Sequence, residues 1–106
     1  MAQFDVHRNS GQHRDTIPFV VIVQSSRFDA YGRRVVVPLV RKSSVAPLGL
    51  ATFNPTFRIK GTSVILHPLE IVSISTKQLG DFVESLSNEG PRIVAALDEL
   101  LSQAWN

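Results

Sequence analysis

For most of its length the chain sets apolar residues in short β-branched runs or alternates them with polar ones, and only its C-terminal stretch repeats them at helical spacing. Over 3–7 the order Gln-Phe-Asp-Val-His alternates, which predicts a first strand with Phe4 and Val6 on one face and polar residues on the other. Residues 8–15 are polar or charged apart from Gly11 and read as a loop carrying Arg8, His13 and Arg14, closed by Pro18. FVVIVQ at 19–24 is too short for a helix between Pro18 and Ser25-Ser26, and its β-branched content suits a buried central strand. RRVVVPLV at 33–40 is a second such strand, reached through SSRFDAYG, where Gly32 is expected to supply the positive φ of a tight turn. The two form a predicted antiparallel hairpin. Pro38 has no N–H, so its strand is expected to lie at an edge or to end its pairing there.

Residues 41–50 read as a loop. Further strands are predicted at 51–53, 56–59, 63–66 and 69–75, the middle two joined by Lys60-Gly61-Thr62. Leu79, Phe82, Val83 and Leu86 then recur at intervals of three to four, which predicts a helix of one or two turns. From Pro91 onward Ile93, Val94, Leu97, Leu100, Leu101 and Ala104 fall on one stripe of a helix running to the C-terminus. Pro91 suits a first helical turn, with Gly90, Asn88 or Ser87 near the N-cap. Five or six strands followed by a helix make the fold class α+β, mostly β.

A chain of 106 residues with 43% hydrophobic side chains fills one compact domain, expected to span residues 1–106, and is too small for two. The absence of cysteine excludes disulfides, thiolate metal sites and cysteine nucleophiles. The first twenty residues contain no apolar run of secretory type, so a cytoplasmic location is expected, and runs such as Phe19 to Val23 are far shorter than the ~20 residues of a membrane-spanning helix. Net charge is +2 but unevenly placed: residues 1–76 hold nine Lys/Arg against four Asp/Glu, and residues 77–106 two against five. Such asymmetry is compatible with scattered solvated charge, or with attraction of nucleic acid or an acidic protein.

Phosphate-cradling, zinc-hydrolase and nucleophile-elbow patterns are all missing from the sequence. His7, His13 and His67 lack ligand spacing, which favours packing or surface roles over a metal site. Arg33 and Arg34 enter one strand on opposite faces, so one can be exposed toward phosphate while the other pairs inside, for example with Asp29. Trp105, the sole tryptophan, lies one turn after Leu101 and either docks into the core or serves as an anchor for a partner.

Spread along the chain are Gln3-Phe4, the segment Phe19 to Ser25, Asp29, Gly32-Arg33-Arg34, Val37-Pro38-Leu39, Pro55, Ile59 and Ser63. Ser73, Gly80, Val83, Leu86-Ser87, Ile93 and Ala96-Leu97 follow. Together these resemble the CcdB toxins, small bacterial proteins of toxin–antitoxin pairs that poison DNA gyrase. The resemblance implies a homodimer of SH3-like barrel bodies of the CcdB/MazF type, each with a C-terminal α-helix, the two helix ends close together near the dyad. It also implies that those ends enter the DNA gyrase A subunit dimer and trap the enzyme on cleaved DNA, and that a disordered CcdA-like antitoxin segment neutralises the toxin. No bond-making chemistry, no cofactor and no membrane is implied, and nucleic acid enters only through gyrase or the antitoxin complex.

Where the family closes with Trp-Gly-Ile, this chain closes with Leu101-Ser102-Gln103-Ala104-Trp105-Asn106. Aligned without gaps from Pro55, the family triplet falls on Ser102, Gln103 and Ala104, and Trp105 comes three residues later, roughly 60° around a helix. By this resemblance the gyrase-binding residues are Ser102, Gln103, Ala104, Trp105 and Asn106. Ser26-Arg27-Phe28 stands where the family has an acidic residue followed by aliphatics, a region near the antitoxin and gyrase contacts, and Arg27 and Phe28 are the expected antitoxin-binding residues. An exposed Phe28 favours a binding surface there; a buried one plugs the barrel. Two other readings share the fold: a MazF-like endoribonuclease using Arg33, Arg34 and Ser25, for which no convincing acid or base partner stands out, and a CcdB-like domain that binds antitoxin without toxicity.

Overall fold

A computed structural model of the chain describes residues 1–45 and 51–102. Among the described residues seven strands, β1 Asp5–Asn9, β2 Phe19–Ile22, β3 Arg33–Arg41, β4 Thr56–Ile59, β5 Thr62–Leu66, β6 Val72–Ser75 and β7 Leu79–Ser85, precede one α-helix, α1 Gly90–Ser102. They form an antiparallel sheet in the order β4-β5-β3-β2-β1-β7, with β6 added on β3, curled into a half-barrel. The α+β, mostly β class expected from the sequence is therefore the observed one.

Burial explains the strand composition. In β2 all four residues are buried, because the sheet has apolar matter on both faces. Phe19 and Val21 join Val6, Val37, Leu39, Phe57, Ile59, Val64 and Leu66 in the main core, which Ile93 and Ala96 of α1 close from one side. Val20 and Ile22 point the other way, into a smaller cluster with Val36 that Ile74 and Leu79 cover. Each fully buried aliphatic side chain contributes about 1.5–3 kcal/mol, so the continuous β-branched runs themselves hold the sheet together.

Local chemistry fixes the connections. The β4–β5 hairpin turns at Lys60 (φ 50°) and Gly61 (φ 80°), a two-residue turn with both central residues left-handed, whose twist matches that of the flanking strands. In α1, Gly90 packs under the Phe4 ring: an added Cβ would lie 2.8 Å from it. Phe4 itself is held at φ 70°, its N–H donating to the Ile22 carbonyl and its carbonyl accepting from Leu86 N–H. The Arg92 guanidinium covers Phe57 at 4.6 Å, donates to the Thr56 carbonyl at 3.0 Å and pairs with Glu89, tying the helix start to β4.

Several expectations need correction. The predicted helix over 79–86 is strand β7, paired with β1. Val6 faces Glu84 but His7 faces Phe82, and Asn9 faces Leu79, so β7 carries two extra residues relative to β1. Bulges of this kind break the two-residue alternation, and the resulting spacing of apolar residues imitates a helix. Gly80 lies at the second irregularity, where an added Cβ would sit 2.5 Å from the Arg8 carbonyl oxygen. Residues 51–53 form turns rather than a strand, and 69–75 is divided into a 3-10 turn, Pro68–Glu70, and β6. Gly32 does not take a positive φ.

Pro38 lies in the middle of the sheet, opposite Val20, rather than at an edge. Along its other side β3 pairs with β6 through Val36 and with β5 from Leu39, and Pro38 falls in the gap. Its carbonyl accepts from His67 N–H on that side, so the missing N–H points where no strand needs it. His7, expected on the polar face, is buried because β7 covers it.

Candidate functional site

The β2–β3 connection carries the two residues expected to meet an antitoxin. Ser25 starts it: its hydroxyl accepts from Arg27 N–H at 3.2 Å, capping a 3-10 turn, Ser26–Phe28. Gln24 spans the hairpin, its amide donating to the Phe28 and Arg33 carbonyls at 3.3 and 3.2 Å while its oxygen accepts from Val35 N–H at 3.1 Å. One side-chain amide thus replaces the ladder bonds that end with β2.

Arg34 holds the same loop from beneath. It is 5% exposed, and its guanidinium donates to the carbonyls of Tyr31 at 2.7 Å, Arg33 at 2.9 Å, Asp29 at 3.1 Å and Met1 at 3.3 Å. The Asp29 carboxylate stands 3.8 Å from Nε, so the expected Asp29–Arg34 pair exists but is secondary to the backbone contacts. Arg33 points outward as the alternation requires, donating to the Ser73 hydroxyl at 2.9 Å and carbonyl at 2.7 Å and fastening β6.

With its backbone gathered inward, the loop presents its aromatic rings outward. Phe28 is 47% and Tyr31 68% exposed, with ring centroids 6.3 Å apart. They border a cavity of about 590 Å³ floored by Val23, Gln24, Gly32 and Val35 and edged by Ser25 and Arg33. Arg27 is exposed in the adjoining 3-10 turn. Phe28 is therefore the exposed residue of the two alternatives raised from the sequence. Tyr31 was not singled out by sequence reasoning; the available signal was a second aromatic three residues on in an otherwise polar loop.

The other expected site lies at the far end of the chain. Ser102 is the last residue of α1 and is exposed, as is Leu101 before it. Gln103, Ala104, Trp105 and Asn106 lie outside the described residues. On α1, Ile93 and Ala96 face the core and Val94 faces out, while on the neighbouring turn and β6 Leu69, Ile71 and Val72 are exposed.

Of the arginine and hydroxyl set considered for ribonuclease chemistry, Ser25 and Arg33 share the rim of the Phe28–Tyr31 cavity, while Arg34 is buried beneath the loop. Each already serves the fold: Arg34 bonds backbone carbonyls, Arg33 bonds Ser73, and the Ser25 hydroxyl caps the turn. The histidines lie apart from one another. His7 donates from Nδ1 to the Gly80 carbonyl at 2.9 Å, since a carbonyl can only accept, and packs edge-on against Phe82 with centroids 5.8 Å apart. His67 is partly buried between β5 and the Pro68 turn. No helix among the described residues is long and apolar enough to cross a membrane.

Comparison with curated proteins gives no match. The family model described as CcdB protein, in contrast, matches residues 3–102, from the residue before Phe4 to the end of α1. A mostly β half-barrel closed by one C-terminal helix, matched over nearly all of its residues, belongs to the CcdB family of toxins from toxin–antitoxin systems, proteins of the gyrase-poison kind.

Proposed function

We propose that this chain is the toxin of a type II toxin–antitoxin pair that binds the DNA gyrase A subunit and traps the cleaved DNA complex, and that a CcdA-like antitoxin neutralises it in the cytoplasm. The family match over 3–102 is the observation that carries this reading. The toxin acts by binding, with no bond made or broken by its own side chains. Its gyrase-binding end comprises Ser102, Gln103, Ala104, Trp105 and Asn106, with Trp105 as the anchor: a single large aromatic buries more area per residue than its neighbours. The antitoxin occupies the face that holds Arg27, Phe28 and Tyr31. A disordered acidic segment with apolar anchors suits a cavity edged by two aromatics and by Arg33, with Arg27 exposed in the adjoining turn.

The functional unit is a homodimer of single-domain protomers. Leu69, Ile71 and Val72 form an exposed apolar run beside α1, of the kind that a second copy covers.

Gyrase supercoiling and cleavage assays with the purified protein, the Trp105→Ala variant and a sample preincubated with antitoxin test the proposal. Accumulation of cleaved DNA that is lost in the variant and reversed by antitoxin is expected. An intact fold with tight antitoxin binding but no effect on gyrase would instead identify a non-toxic antitoxin binder.

A further inference from the structure

Antiparallel pairing brings the end of β1, the start of β2, the end of β3, the start of β5 and the start of β7 to one end of the half-barrel. Two surface cavities adjoin there. One, of about 400 Å³, is lined by Arg8, Arg14 and Arg41 together with Asn9 and Asp81. The second, of about 450 Å³, is lined by the same Arg41, by Lys42, and by the hydroxyl-bearing Ser43 and Thr62. Lys60, in the β4–β5 turn, lies at this end as well.

We infer that this end of the half-barrel is a contact surface for the phosphodiester backbone of nucleic acid, with Arg8 and Arg14 meeting one phosphate and Arg41 and Lys42 the next. Four cations converge on two basins that share one arginine, which suits a chain of anions better than a single one. Guanidinium groups donate two parallel bonds to a phosphate, and neighbouring hydroxyls add neutral donors. The lining argues against a peptide. Apart from Pro18 it contains no apolar side chain, whereas protein partners are gripped through desolvated aromatic or aliphatic anchors, as the Phe28–Tyr31 cavity provides. Cations and hydroxyls in shallow surface basins match phosphate oxygens, so binding is expected to be independent of sequence and sensitive to salt.

Three of the four cations remain available to a ligand. Arg14 has no ion-pair partner among the described residues. Arg8 lies over the Phe19 ring at 5.7 Å, a contact that orients the guanidinium without occupying its donors. Lys42 is exposed in its turn. Arg41 donates from Nε to the Asp15 carbonyl at 2.9 Å, which fixes its stem and leaves its terminal nitrogens to the shared wall of the two basins.

The test is fluorescence anisotropy of the full chain with a short labelled duplex DNA and an RNA of the same sequence, over a series of salt concentrations. Arg14→Ala is expected to weaken binding roughly tenfold near physiological salt and to lower the salt slope by about one. Arg8→Ala behaves alike, and Asp81→Asn, which removes the acid facing the first basin, tightens binding. Arg41 is left unchanged because it also holds the 10–18 loop. Lys77→Ala removes one positive charge from the exposed Thr76–Gln78 turn, which lines neither basin, and leaves binding unaltered. Equal weakening by Lys77→Ala would show a mere net-charge effect and overturn the assignment. So would the absence of binding at low salt, or inorganic phosphate binding as tightly as either oligonucleotide. Circular dichroism melts of each variant keep loss of fold apart from loss of contact. The relative affinities for DNA and RNA identify which backbone the surface takes.

Discussion

Arg33 and Arg34 are neighbours of the same type, yet replacing each by Met is expected to have very different consequences. Met retains much of the aliphatic stem, so the change reports mainly on the guanidinium. At position 34 that group satisfies four backbone carbonyls, those of Tyr31, Arg33 and Asp29 around the loop at 2.7, 2.9 and 3.1 Å and that of Met1 at 3.3 Å. A hydrogen bond from a charged donor is worth about 1.5–3 kcal/mol net, and a buried carbonyl left without a donor loses about as much. The two longer bonds are weaker, and water reaches part of an exposed loop, so a loss of about 3 kcal/mol is expected rather than the sum of four full bonds. In a protein of this size that lowers the melting temperature by roughly 15 °C. Arg33 bonds only to Ser73, on an exposed face, and Arg33→Met is expected to cost less than about 1 kcal/mol. Thermal unfolding of the two variants side by side, followed by circular dichroism, gives the comparison. If Arg34→Met were no less stable than Arg33→Met, the loop would not depend on its buried guanidinium and the account of how Phe28 and Tyr31 are presented would fail.

The remaining expectations concern single contacts. Gly80→Ala drives a Cβ into the Arg8 carbonyl oxygen and should destabilise the protein by about 1–3 kcal/mol in urea unfolding, while Gly32→Ala, whose Cβ would meet no atom within 4 Å, should be close to neutral. Phe28→Ala and Tyr31→Ala should each weaken antitoxin association by about 1–2 kcal/mol in calorimetric titration without lowering the melting temperature; an unchanged affinity would remove the aromatic cavity from the antitoxin interface. Leu69→Glu, at a side chain 67% exposed, should shift sedimentation toward the monomer, and an unaltered dimer would place the subunit contact elsewhere.

How far the chain could be read in advance depended on whether local pattern and tertiary context agreed. The β2–β3 hairpin was legible because FVVI and RRVVVPLV admit no amphipathic helix, and α1 was legible because Ile93, Leu97 and Leu100 recur at helical spacing, although Val94 and Leu101, expected on the same stripe, are exposed and Ala96 is buried instead. β7 was not. Its two bulges set Leu79, Phe82 and Val83 at helical intervals, and only pairing with β1, more than seventy residues earlier, reveals the strand. Pro38 misled in a different way, since a proline is tolerated inside a sheet when the partner strand changes at that residue, a property of topology rather than sequence. At the candidate site the exposed Phe28 was foreseeable as one of two alternatives. The position of Arg34 was half foreseeable: alternation sends one of two adjacent arginines inward, but which one depends on the register of β3 with β2 and β6.

That register also sets the relation between the two surfaces. Phe28 and Tyr31 lie beyond the Ile22↔Val36 pair, whereas Arg41 lies beyond the Phe19↔Leu39 pair at the other end of the same ladder. With about 3.3 Å of rise per residue, the four-pair ladder and its overhanging ends separate the aromatic cavity from the arginine basins by on the order of 15–20 Å. This exceeds the screening length of about 8 Å at physiological salt, so charge on a ligand at one end is only weakly felt at the other. A partner seated on the aromatic cavity therefore neither covers nor neutralises the basic end, and both surfaces can be occupied together. Antitoxin at saturation should accordingly leave the affinity for duplex DNA unchanged when its bound segment is confined to the cavity, as anisotropy titration of the preformed complex would measure. A large loss of DNA affinity in the complex would mean that the antitoxin extends along the β2–β3 ladder to the arginines, and that the two surfaces are parts of one interface.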